Sequence, residues 1–588
     1  MSVHKLTAGS GYDYLTRQVA ALDATERGHV GLASYYTARG ESPGVWVGSG
    51  MAGIDGLAVG DVVTAEQMQA LFGSGHHPLA AQRRGQLQGP GLSEGDYLEV
   101  GRLGAPYRVY PGDVSAFRVE VARRIAGLNE AAGLPGDWPV PATDRARVRS
   151  EVAAEFFRAE HGREPDGARE LAATISKYSR PRTTAVAGYD LTFSPVKSVS
   201  ALWAIADPST AARIERAHRS AVADALAFIE AHALYTRTGA NGVRQVDVRG
   251  LVAAAFTHRD SRAGDPDLHT HVAVANKVQT LDGRWLSIDG RVLFKAAVTA
   301  SETYNTALER HLGTGLGVVF AQRPGSDPRK RPVREIVGVP TGLTARWSQR
   351  RARIDVRRGE LAADFQRSHG RPPTPVEALG LAQQATVETR EAKHEPRTLA
   401  EQRATWHREA AETLGGADAV TAVLTQVVSP TLAPSTGVAQ VPTSGVVAAV
   451  ADRVVAEVEG RRATWQVWHV RSEAHRQVRG LDVRAEDSEA LVDRVVAEVL
   501  QRGSIVLSRP EPGIVDPEVL RRRDGSSVYT VAGAALYTSG RVLDAEQRLV
   551  AAAGRRDGHV VSEVCVDLAL LESQANGVAL TAGQAGLV

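Results

Sequence analysis

Cysteine is almost missing from this chain: of 588 residues, only Cys565 is one. That excludes an intrachain disulfide and a thiolate metal cluster, and it suits a reducing cytoplasm. Long apolar runs are missing too. No stretch of about 18 uncharged apolar residues occurs, which argues against a membrane-spanning helix. The opening MSVHKLTAGSGYDYL has no apolar h-region and does not read as a secretory signal. Two catalytic motifs are also absent. Without HExxH the common metalloprotease arrangement is excluded, and without GxxxxGK[ST] there is no phosphate-cradling P-loop, so neither ATPase nor helicase activity is expected of this chain.

What is present is an ordinary soluble composition, 43% hydrophobic and 23% charged, at a length that calls for about three or four domains. The net charge of +2 says little as a total. Its distribution says more: RPGSDPRKRPVREIV (323–337) and RWSQRRARIDVRRGE (346–360) are basic enough to bind phosphates, although the second also suits a solvated helix face. Residues 1 to about 75 read as a strand, a helix and a loop, and 77–150, rich in Gly, Pro and Arg, as an insertion without sustained periodicity. YDLTFS reads as a strand leading through a Pro-containing turn into a helix, and TAARIERAHRSAVADALAFIEAHAL has helical periodicity. VRQVDVRGLVAAAFTHRDSR and DLHTHVAVANKVQ are strand-like. FRAEHGREPDGARELA (157–172) and FQRSHGRPPTPVEALGLA (365–382) share a helix–HGRxP–helix pattern, read as a recurring structural hairpin. VVSPTLAPSTGVAQVPTSG (427–445) looks like a linker, followed by helical segments and then short strands and turns.

The chemistry concentrates in AAFTHRDSRAGDPDLHTHVAVANKVQ (254–279), which holds three of the chain's 17 histidines. Residues i and i+2 of a strand share a face, so His269 and His271 point together if LHTHVAVAN is a strand. DSRAGDPD is turn chemistry, which lets the two runs pair antiparallel and brings His258 alongside. Three imidazoles on one face make a metal site with open positions, against the plainer reading of polar residues near a turn. Tyr12, Tyr14, Tyr35 and Tyr36 cluster near the N-terminus. A phenol, with a pKa near 10, attacks phosphorus only with help from a base or a cation, and any single tyrosine of the four is also a natural core residue.

These N-terminal tyrosines, followed by YDLTFSPVKSVSALWA and HRDSRAGDPDLHTHVAVANK, resemble the MobF-type conjugative relaxases, the TrwC/TraI-like family of HUH endonucleases, over roughly residues 1–410. The middle position of the HUH motif is Thr270 rather than a strongly hydrophobic residue. The tyrosines precede the histidines, whereas replication initiators of the class place theirs after. The resemblance implies an α/β (α+β) relaxase domain, a central antiparallel sheet flanked by helices. It also implies metal-dependent nicking and joining of single-stranded DNA at a transfer origin through a 5′-phosphotyrosine intermediate. Tyr14 matches the first catalytic tyrosine, with Tyr12 as the other choice because the usual adjacent pair is split here. Tyr35, in a pair with Tyr36, matches the second. Asp190 matches the acidic residue that orients a ligand histidine and helps take the phenol proton. His258, His269 and His271 match the ligands of a divalent metal ion, Mg²⁺, Mn²⁺ or Zn²⁺. Lys197, Arg262 and Lys277 are candidate DNA contacts.

Implied partners are origin DNA with an adjacent hairpin, a type IV secretion coupling protein and relaxosome accessory proteins. The implied location is cytoplasmic, without membrane insertion, with transfer to the recipient alongside the DNA. Residues 411–445 are expected to link to a partial helicase-like or accessory region over 446–588, where LTAGQ resembles the adenine-sensing Q motif with Gln584 as its glutamine. The alternatives are an HUH replication initiator or transposase with the same chemistry, and a catalytically silent DNA-binding accessory protein.

Overall fold

The computed structural model describes residues 1–12, 14–15, 44–87, 93–109, 116–135, 138, 140–179, 185–324, 331–389, 397–428, 443–481, 483, 487–507, 516–555, 557, 561–578 and 580–585. Its centre is a five-stranded sheet of β1 (Ser2–Thr7), β2 (Val45–Val47), β3 (Val186–Phe193), β4 (Ala253–Asp260) and β5 (Pro266–Ala275). The strands lie in the order β1–β3–β5–β4–β2, every neighbouring pair antiparallel. The two-residue side-chain period divides the sheet cleanly. Tyr189, Leu191 and Phe193 of β3 and Leu268, Val272 and Val274 of β5 join the larger core. Ala254 and Phe256 of β4 and Ala273 and Ala275 of β5 face the other way, into a smaller core with Leu6, Trp46 and Phe72.

The helices of nine residues or more, in chain order, are α1 (Ala116–Ala131), α2 (Ala142–His161), α3 (Ala168–Ser179), α4 (Lys197–Ile205), α5 (Pro208–His232), α6 (Gly290–Leu316), α7 (Gln349–His369), α8 (Pro375–Glu388), α9 (Leu399–Leu414), α10 (Ala417–Val427), α11 (Ser444–Glu459), α12 (Val467–Val478), α13 (Ser488–Gln501), α14 (Gly540–Ala553) and α15 (Glu563–Ala575). Helices α4, α5 and α6 cover the larger core. The start of α5 is written in its sequence: Asp207 accepts from the amides of Ser209 (2.9 Å) and Thr210 (3.0 Å), and Pro208 occupies the first turn, where no amide is needed. Ile214, Leu226 and Ile229 then recur on its buried face, each contributing on the order of 2 kcal/mol.

Several expectations need correcting. The segment read as aperiodic within 77–150 contains α1, which packs with α2, a helix its sequence RARVRSEVAAEFFRAEHG announces, and with α3 around Phe117, Val148, Val152 and Ala153 as a satellite bundle. Residues 417–427 of the expected linker form α10, with Val420 and Val427 buried in the larger core. The VRQVDVRGLVAAAFTHRDSR run breaks in two. Arg244–Asp247 pairs with Tyr235–Thr238 as a separate ribbon, and only Ala253–Asp260 enters the central sheet. The chain's last part is helical, α14 and α15, rather than strands and turns.

The repeated HGRxP pattern is a structural hairpin, as read. Helices α2 and α7 both end on a histidine followed by a left-handed glycine, Gly162 (φ 68°) and Gly370 (φ 66°). In each, the histidine ring sits against a phenylalanine one turn back, at 4.3 Å for Phe157–His161 and 4.0 Å for Phe365–His369. The following arginine lies over the same phenylalanine and forks onto a glutamate of the next helix, Arg163 to Glu170 and Arg371 to Glu377.

Candidate active site: a tyrosine beside three histidines

Strand register gathers the site. His258 pairs with His269 across β4 and β5, and His271 lies two residues on, so all three imidazoles stand on one face of the sheet. Asp190, on β3, joins that face from the other side of β5. The turn between the histidine strands is held firmly: Gly264 takes φ 81°, Trp406 Nε1 donates to its carbonyl (2.9 Å), Gln349 Nε2 donates to Asp265 (2.9 Å), and Gln402 Nε2 to Asp260 (2.9 Å).

The ring centres of the three histidines are 5.3, 5.3 and 5.2 Å apart. A metal about 2.1 Å from each nitrogen would place ring centres near a tetrahedral angle about 5.2 Å from one another. Two of the rings already have their far nitrogen occupied. His271 Nδ1 donates to both oxygens of Asp190 (2.9 and 3.0 Å), and His269 Nδ1 donates to the carbonyl of Asp267 (2.7 Å). Those bonds leave Nε2 of each as the lone pair for a ligand role, the arrangement expected around a metal. As the side chains stand, no group of three His, Cys, Asp or Glu among the described residues closes on a common point.

Tyr14 completes the constellation. Its hydroxyl donates to Asp190 Oδ2, and its ring lies edge-on to His271 at 6.0 Å. Asp190, 2% exposed, therefore accepts from a phenol and an imidazole at once. Burial, and after it the Asp190 charge, push the Tyr14 phenol well above its usual value, so it is protonated at neutral pH and needs a base in order to attack. Tyr12 is placed differently: it is buried in the smaller core, 6.3 Å from Phe72. Tyr35 and Tyr36 lie outside the described residues.

Two of the candidate DNA contacts are engaged within the protein. Lys277 is 4% exposed, donates to the carbonyls of Leu103 (2.8 Å) and Ala105, and lies over the Tyr107 ring; burial lowers its pKa to about 8. Lys197 donates to the Pro266 carbonyl (2.6 Å) at the start of β5, and burial lowers its pKa as well. Both ammonium groups are spent on the protein's own backbone, where a DNA phosphate would have to displace them. Arg262 sits half-buried in the turn between the histidine strands. Gln584, on a short exposed helix, accepts from its own Thr581 amide (2.9 Å) as a helix cap.

The residue reading missed Thr192, whose hydroxyl lies 3.2 Å from His271 Nδ1, and Asp267, whose carbonyl fixes the His269 ring. Both lie two positions from a residue already singled out, Asp190 and His269, so the period of a strand pointed to them.

The sequence profile described as TrwC relaxase matches residues 8–413. The chain belongs to the TrwC relaxase family. Among curated relatives, it is 33% identical over 232 residues to a multifunctional conjugation protein TraI of Escherichia coli, matching 36% of this chain and 13% of that one. It is 36% identical over 153 residues to the TraI of Escherichia coli strain K12, with 26% and 8% covered. The match thus spans only a small part of these relatives' length. Among solved structures it is similar to the conjugative relaxase TrwC in complex with oriT DNA in a copper-bound form, with 20% identity, TM-score 0.39, and 70% and 98% of the two chains covered. Another is TrwC complexed with a 27-mer DNA comprising the recognition hairpin and the cleavage site, with 27% identity, TM-score 0.32, and 50% and 95% covered. Among the described residues of this relaxase-family chain, no helix is long and apolar enough to cross a membrane.

Proposed function

We propose that the chain is a metal-dependent tyrosine relaxase that nicks and rejoins one DNA strand at an origin of transfer. The observation that carries this reading is the hydrogen-bonded line Tyr14–Asp190–His271, set on the sheet face that also holds His258 and His269. The Tyr14 oxygen attacks the scissile phosphorus and Asp190 accepts its proton. The P–O bond to the 3′ oxygen breaks, leaving a 5′-phosphotyrosine and a 3′ end that takes up a proton as a hydroxyl. Because the phosphodiester energy stays in the new bond, rejoining needs no ATP. His258, His269 and His271 would hold a divalent cation, which supplies charge to position and polarise the phosphate. Tyr35, beside Tyr36, is the proposed second nucleophile for the closing transfer. A type IV coupling protein and relaxosome proteins are the partners this reading calls for, and residues 446–588 serve as an accessory module.

The test uses labelled single-stranded oligonucleotides tiled across the DNA that flanks the gene, incubated with the full chain and Mg²⁺, Mn²⁺ or Zn²⁺. A denaturant-resistant adduct is expected with one oligonucleotide, lost on adding EDTA and regained with metal, and peptide mapping should find the DNA on Tyr14. Attachment at Tyr12 would reverse that assignment; no adduct with any oligonucleotide would remove the mechanism.

A further inference from the structure

Behind the three histidines, on the opposite face of the same strands, lies a buried polar line. Thr270, between His269 and His271, points into the helix layer and is 3% exposed. Its hydroxyl lies 3.0 Å from that of Thr257, its cross-strand partner and the neighbour of His258. On its other side it meets Nε2 of His218 on α5 at 2.8 Å, and His218 Nδ1 meets the hydroxyl of Tyr304 on α6 at 2.8 Å. His218 and Tyr304 are both 0% exposed.

The proton inventory gives the line a direction. Tyr304 has one hydrogen, and among the described residues its hydroxyl bonds only His218. Donation from Tyr304 to Nδ1 leaves that hydrogen satisfied, so Nε2 carries the imidazole proton and gives it to Thr270, which in turn donates to Thr257. The opposite direction would strand the Tyr304 hydrogen in an apolar core, at the cost of a buried unsatisfied donor. Burial keeps His218 neutral throughout, with its pKa lowered to about 3.

We propose that His218 and Tyr304 are positioning residues, which act through Thr270 to fix the pitch and register of β5 and thereby aim His269 and His271 at the cation. The inference rests on the relaxase reading of the site. An apolar residue at position 270 would pack in many slightly different orientations, whereas a hydroxyl held by a directional bond has one. A one-residue slip of β5 would carry both histidines to the wrong face, and it would also leave Thr257, Thr270, His218 and Tyr304 without their partners. The departure from a hydrophobic middle residue in the His-x-His motif is thus matched by a polar pair reaching down from the helices.

Three full-chain variants test this: Tyr304→Phe, Thr270→Val, and the triple variant Thr270→Val/His218→Phe/Tyr304→Phe. Each is measured for thermal stability, for Mn²⁺ affinity by calorimetry, and for adduct formation on origin DNA. Replacing all three by apolar groups of similar shape removes the buried polar atoms of the line, so the triple variant should recover most of the stability that Thr270→Val alone loses. A positioning role predicts that its Mn²⁺ affinity stays reduced about 10-fold or more, the usual effect of removing support behind a ligand, with adduct formation falling in step. Recovery of affinity and adduct formation together with stability would show the line to be core packing only and would overturn the inference. Normal Mn²⁺ affinity in Tyr304→Phe with reduced affinity in both Thr270 variants would remove Tyr304 from it. Wild-type protein that neither binds Mn²⁺ nor forms an adduct would sink the relaxase reading itself, an outcome distinct from either of these.

Discussion

At the scale of single residues, the site turns on Asp190, which is asked to do two things. It receives the Nδ1 proton bond of His271, which fixes that ring's tautomer, and it receives the Tyr14 hydroxyl, whose proton would leave in the proposed attack. Asp190→Asn keeps the shape while removing the anion, so it should cost both roles together. Single-turnover adduct formation should fall by about 10²–10⁴, the range for losing a positioned base, and metal affinity should fall as well. Unchanged metal affinity would separate Asp190 from the histidine; an unchanged rate would remove it as the base. The two tyrosines should part company equally clearly. Tyr14→Phe loses the attacking oxygen and the adduct, whereas Tyr12→Phe, in the core beside Phe72, should still form one. The residues also show what a sequence can and cannot convey. His258, His269, His271 and Asp190 were visible as a set because strand periodicity and turn composition are local. The burial of Lys197 and Lys277 was not legible because a lysine's exposure depends on which distant backbone carbonyls reach it, and nothing near them in the chain reports that.

At the scale of elements, the same contrast holds. The central strands carry alternating or continuous Val and Ala runs and were legible. The short edge strand Val45–Val47 was not, since three residues carry no period. Nor was α1, whose buried contacts are limited to one satellite cluster, so its sequence shows no broad apolar stripe. The HGRxP hairpins were legible as a repeat but not as a mechanism, which lies in the left-handed glycine and the Phe–His–Arg stack. Gly370 has open space around the position of a Cβ, so Gly370→Ala meets no clash and exposes the backbone cost alone. That cost is about 1–2 kcal/mol for an L residue forced into the left-handed region. Hydrogen exchange should show α7 fraying at its C-terminal end while the central sheet keeps its protection. Equal protection in the variant would mean that the turn relaxes to another conformation without penalty.

At the scale of the whole molecule, the C-terminal helices are bound to the relaxase-family half through α6. Glu302 of α6 accepts from Arg476 Nη2 (2.8 Å) and Arg479 Nη2 (2.6 Å) of the segment that carries α12, and Thr303 Oγ1 lies 3.1 Å from His475 Nε2. Tyr304, the next residue of α6, bonds His218 beneath the histidine trio, so one helix serves both surfaces. Burial alone would raise the Glu302 pKa, but Arg479 and Arg476 outweigh it and bring the carboxyl down to about 2 from 4.5. A folded-state pKa below the unfolded value stabilises fully above about pH 4.5, and that stability drains away as pH falls toward 2. Glu309, two turns on, works in the opposite sense, since burial and the Glu302 charge raise it despite Arg479 and Arg334. Buried His475, held neutral with a pKa lowered to about 3, sheds stability from pH 6.5 downwards. Acid sensitivity of the wild type therefore mixes several groups, among them Glu473 and Arg331 at the same contact, and a comparison isolates Glu302. Glu302→Gln leaves two arginines facing a neutral amide and should cost about 3–5 kcal/mol at pH 7, the usual effect of breaking a buried pair from one side. Exchange protection of α12 reports it: the gap between wild type and variant should be full at pH 7 and narrow as pH drops below about 4.5. A gap that stays constant down to pH 3 would show that the Glu302 charge does not hold the C-terminal helices to the relaxase domain.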